Sequence, residues 1–159
     1  MTGNSRRYAA FLLVQTLCAA AILYNIQSAF RILLENIGTQ NPGSLGNAAS
    51  VGLAVLIGQF CYWQRLRSVS IPNGYQNIVL GHLFSFGSRI GFIFGGALFS
   101  LYFLRHVPAL DLGYPDLIWR SGMLLAILFA LYCYTLELER LGAALQGAFR
   151  PRPASRNAP

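Results

Sequence analysis

Apolar residues in this chain fall in four long blocks separated by short polar links, with neither strand-like alternation nor a regular amphipathic stripe. A hydrocarbon core of roughly 30 Å takes about 20 apolar residues per helix. Residues 8–30, 45–64, 77–104 and 115–136 reach that length. The links carry turn chemistry: Pro42-Gly43-Ser44 in the first, Pro72-Asn73-Gly74 in the second, Pro108 to Gly113 in the third. Links this short join antiparallel neighbours, so the pattern predicts a single all-α domain over residues 1–149, an up-down bundle of four transmembrane helices. Residues 137–149 continue as a helix with Leu138, Leu141, Leu145 and Phe149 on one face. This reads as a cytoplasmic amphipathic extension lying on the membrane or against a partner. Residues 150–159, rich in Arg and Pro, read as a disordered tail.

Composition strengthens that picture. Apolar residues make up 55% of the 159-residue chain and charged ones 11%, against about 25% charged in soluble domains; mean hydropathy is +0.48. A soluble enzyme and an unstructured chain are both excluded. A disulfide scaffold is excluded too, since Cys18, Cys61 and Cys133 lie singly within apolar blocks and read as buried small hydrophobes. Arg6-Arg7 ahead of an apolar run resembles an export signal, but the run continues to Phe30. That exceeds a signal core of about 7–15 residues and fits a retained span.

Net charge is +7, and every basic residue apart from the two histidines is an arginine. The arginines stand at block ends, as topology signals do, and form no phosphate-tracking patch, so nucleic acid is not an expected partner. Arg6, Arg7, Arg65, Arg67, Arg140, Arg150, Arg152 and Arg156 fall on one side, and Arg31, Arg105 and Arg120 on the other. The excess places both termini in the cytoplasm of a bacterial inner-membrane protein. In the fourth block Pro115 suits a first helical position, Asp116 suits the first turn, and Arg120 is spaced to pair with it.

The third block carries the unusual residues. On a helical projection Gly81, His82, Ser85, Gly87, Ser88, Arg89, Gly91, Gly95, Gly96 and Ser100 share one half, with Phe84, Phe92, Leu98 and Phe99 intruding. Gly87, Gly91 and Gly95 form a doubled G-x-x-x-G, which lets another helix approach closely, from the same bundle or another chain. Arg89 lies about twelve residues, roughly 18 Å, from the cytoplasmic end. An arginine near the midplane costs at least about 2.5–3.5 kcal/mol and normally faces a partner or an aqueous cavity. Apart from Asp116 in the first turn of the fourth block, no acid lies within the four blocks. Three sources of compensation remain open: neutral groups of the bundle such as Gln15, Asn25 and Gln59; an acid or carbonyl of another subunit; or a bound anion, lipid headgroup or substrate.

His82 reads as a packing residue. His106 is too far along the same helix for a shared haem, and no clustered ligands suggest a metal, so no cofactor is expected. Ser85 and Ser88 lack a third group for nucleophilic catalysis. The expected function is a non-enzymatic accessory or assembly subunit of a larger inner-membrane complex. It would associate with a partner membrane protein or further copies through Arg89, His82, Ser85, Gly87, Gly91 and Gly95, amid membrane lipids. The alternative is a small oligomeric transporter or channel for an anionic or weakly acidic solute.

Overall fold

The computed structural model describes residues 3–35, 45–71, 76–109 and 113–147. Among them every regular element is helical and no strand occurs. Four helices follow in order: α1 (Gly3–Glu35), α2 (Leu45–Ser68), α3 (Ile78–Phe99) and α4 (Tyr114–Leu145). After α3 the chain continues as a π-helical segment, Ser100–His106, and one 3-10 turn, Val107–Ala109. Phe149, the expected 150–159 tail and the turns at 36–44, 72–75 and 110–112 lie outside the described residues.

Among the described residues three stretches are long and apolar enough to cross a membrane: Asn4–Gln27, Ile78–Ala109 and Tyr114–Leu145. This is the architecture of a multi-pass membrane protein. Among the described residues α2 is not one of the three.

Packing follows the chain order up and down. Asn4 donates to Ser70 at 3.2 Å, and Gly58 of α2 faces Cys18 of α1, so α1 and α2 form an antiparallel hairpin. α3 and α4 form the second. The Asn77 side chain caps α3 by accepting the Leu80 N–H at 3.0 Å, while its own N–H donates to the Leu145 carbonyl at 3.2 Å. The hairpins meet through α4, which packs on α1, α2 and α3; the Ile78–Ala109 stretch reaches α1 chiefly through its π-helical segment. Ala19, Ile22, Ile26, Val51, Ala54, Leu98, Ile127 and Leu131 fill the core.

α4 runs unbroken past residue 136 to Leu145, so the expected helical extension is part of the same helix. Leu141 and Leu145 are buried against Tyr8 and Val69 of the same chain. Part of the apolar face read as lying on the membrane or against a partner is thus used inside the bundle. Pro115 and Asp116 occupy the first turn of α4 as expected. The only ion pair among the described residues lies elsewhere, however, and Asp116 makes none with Arg120.

α3 and α4 cross closely at Gly81 and Gly142. A Cβ at Gly81 would lie 2.9 Å from the Gly142 carbonyl oxygen and 2.6 Å from Gln146 Cγ, whereas one at Gly87 would meet nothing within 4 Å. The two Gly→Ala changes therefore carry opposite signs. G81A is expected to destabilise the detergent-solubilised protein by about 1–2 kcal/mol through overpacking. G87A gains helix propensity of up to about 1 kcal/mol at no steric cost. Thermal unfolding of the two variants checks this, and equal melting temperatures would refute the crossing.

Candidate functional site

The glycine-rich side of α3 divides between three environments. Gly81 packs against α4 at the crossing just described, and Gly91 meets Thr135, whose Cγ2 would stand 2.7 Å from an added Cβ. Gly95 faces Leu128 across ordinary contact distance. Gly87 and Gly91 line an apolar groove of about 540 Å³ between α1 and α3, walled by Leu23 and Tyr24 of α1 and floored by Leu131 and Tyr134 of α4. The doubled motif thus serves contact within the bundle at Gly91 and Gly95 and leaves Gly87 open.

Arg89 points the other way, onto the outer seam of α3 and α4. It lines a cavity of about 490 Å³ together with Ser85, Ser88 and Phe92 of α3 and Tyr132, Thr135 and Glu139 of α4. Arg89 and Glu139 are both exposed. Among the described residues neither makes an ion pair, and no hydrogen bond reaches the guanidinium. His82 is exposed too, and stands seven residues before Arg89, on the same helix face. Ser85 accepts a hydrogen bond from Gln146 Nε2 at 3.2 Å.

Of the neutral groups open as compensation for Arg89 within the chain, Gln15, Asn25 and Gln59 turn elsewhere. Gln15 and Gln59 turn into the α1–α2–α4 interior, where their amides have no hydrogen-bond partner among the described residues. Asn25 donates to the Ala21 carbonyl and accepts from Ser50. The depth of Arg89 also changes. The Ile78–Ala109 stretch holds 32 residues and so extends about 48 Å at 1.5 Å per residue. Centred in a 30 Å core, it places Arg89 about 7 Å from the midplane, within hydrocarbon but nearer the interface than the block 77–104 implied.

A second polar cluster escaped the sequence reading. Glu137, only 1% exposed, pairs with Arg65 and accepts a hydrogen bond from the Tyr8 hydroxyl at 2.7 Å. The Arg65 guanidinium sits 5.2 Å from the Tyr8 ring centroid, within cation–π range. One end each of α1, α2 and α4 is joined there. Ending the fourth block at 136 and assigning Arg65 to topology hid the cluster. The signal that reveals it is the run Leu136, Leu138, Leu141, Ala144 and Leu145, which continues the apolar pattern past Glu137. These three side chains pair in the interior through Glu137 Oε1, while Arg65 Nε and Glu137 Oε2 have no hydrogen-bond partner among the described residues. The cluster joins three helices as a clasp, and the open polar surface is the Arg89 seam.

No group of three or more His, Cys, Asp or Glu side chains able to hold a metal occurs among the described residues. No protein-family model, curated protein or solved structure matches this chain.

Proposed function

We propose that this chain is a non-enzymatic assembly subunit of a larger bacterial inner-membrane complex, with α2 as a fourth span and both termini in the cytoplasm. The observation that carries the reading is Arg89: an exposed guanidinium at hydrocarbon depth with no partner among the described residues. Such a charge is expensive against lipid and is retained where another molecule meets it. The four-span topology is supported by the pairing of α2 with α1 and by Arg65 and Arg67 in its last turn. With α2 crossing the membrane, Arg6, Arg7, Arg65, Arg67 and Arg140 come to one side.

The alternative, an oligomeric path for an anionic solute, rests on the 490 Å³ cavity that Arg89 lines. Glu139 shares that cavity and repels an anion, so association is the better reading.

Arg89→Ala tests it. Gentle detergent extraction of the wild-type chain from its native membrane is expected to retain a distinct membrane protein at fixed stoichiometry. Arg89→Ala is expected to lose it by about tenfold or more while the chain itself stays folded. A wild-type chain that emerges without a second protein overturns the reading.

A further inference from the structure

The Arg89 seam carries a positive and a negative group that do not pair within the chain. Arg89 on α3 and Glu139 on α4 line one cavity, both are exposed, and neither has an ion-pair partner among the described residues. The antiparallel register, with Gly81 beside Gly142 and Gly91 beside Thr135, places the two within about one helical turn of each other in depth. A surface with one charge of each sign at similar depth is complementary to itself under a two-fold rotation about the membrane normal. In an isologous interface residue i meets j and j meets i, so Arg89 of each copy would meet Glu139 of the other.

We infer that this seam is the contact between two copies of this chain, closed by a reciprocal pair of Arg89–Glu139 salt bridges. The inference rests on the reading of Arg89 as an association residue and names its partner as a second copy. Both charges are neutralised by one operation, and neither is left facing lipid.

Charge reversal with two differently tagged copies provides the test, read as co-purification from the native membrane. Wild-type copies are expected to retain each other. R89E alone sets carboxylate against carboxylate at both contacts, and E139R alone sets guanidinium against guanidinium. Each is expected to reduce self-association about tenfold or more. Mixing an R89E copy with an E139R copy is expected to restore it, because each contact then holds one charge of each sign. An ion pair within one protomer predicts no rescue on mixing, since each chain remains mismatched within itself.

Failure of wild-type copies to associate, or of the mixture to recover, overturns the inference. Its failure is distinguishable from that of the assembly-subunit reading. If copies do not associate yet a distinct protein is retained and lost in Arg89→Ala, the inference falls and the reading stands. If copies associate and no distinct protein is retained, the reading falls and the inference stands.

Discussion

Replacing Glu137 by Gln is expected to destabilise the solubilised protein by about 3–5 kcal/mol, the usual cost of removing one partner from a buried ion pair. Gln keeps the shape and can still accept the Tyr8 hydrogen bond, so little packing is lost. What changes is that Arg65, 5% exposed, becomes a buried cation with no counter-charge. Tyr8→Phe keeps the ring beneath the guanidinium and removes only the hydroxyl that reaches Glu137. Losing a hydrogen bond to a charged acceptor costs less, about 1.5–3 kcal/mol. The double change R65M/E137L removes both charges while roughly preserving volume. It is expected to be near neutral or stabilising, because neither ion then has to be desolvated. Thermal unfolding in one detergent orders the series: R65M/E137L at or above wild type, then Tyr8→Phe, then Glu137→Gln lowest. A Glu137→Gln protein as stable as wild type would show that the pair is not desolvated and the clasp is not holding three helices.

The clasp also shows what a linear reading cannot reach. Helix existence was legible because each span needs an uninterrupted apolar run, and the expected blocks at 45–64 and 77–104 begin within one residue of α2 and α3. The glycine-rich half of α3 was legible too. Which neighbour each glycine meets was not, since Gly87 and Gly91 share one stripe but only Gly91 has a side chain against it. Glu137 and Arg65 are 72 positions apart in sequence, and nothing local marks them as partners. Positive-inside counting absorbs an arginine at a helix end whatever it bonds to. The π-helical segment at 100–106 had no sequence signal; in the structure Tyr102 packs on Phe103 and His106, where the Ile78–Ala109 stretch reaches α1. For Arg89, its place within a long apolar stretch was legible, but Glu139 beside it was assigned to an extension outside the membrane. Continuity of α4 to Leu145 brought acid and base onto one surface.

That placement sets the second large effect. Arg89→Leu is expected to favour membrane insertion of the Ile78–Ala109 stretch by about 2–3 kcal/mol, roughly 30- to 150-fold in the ratio of inserted to non-inserted segment. The figure lies somewhat below the difference for a helix centre because Arg89 stands off the midplane. Glycosylation mapping of the Ile78–Ala109 segment reads the ratio directly. A ratio unchanged within about threefold would put Arg89 outside the hydrocarbon and remove the energetic reason for a partner. Arg31 and Arg120 are also exposed, but neither stands near the centre of that stretch. The expected pairing of outcomes is specific to an association residue: the same substitution that eases insertion weakens assembly. A guanidinium needed only for the fold of one protomer would instead cost stability in the isolated chain when replaced. With no hydrogen bond or ion pair to lose among the described residues, Arg89→Leu is expected to leave unfolding of the isolated chain unchanged or raise its midpoint.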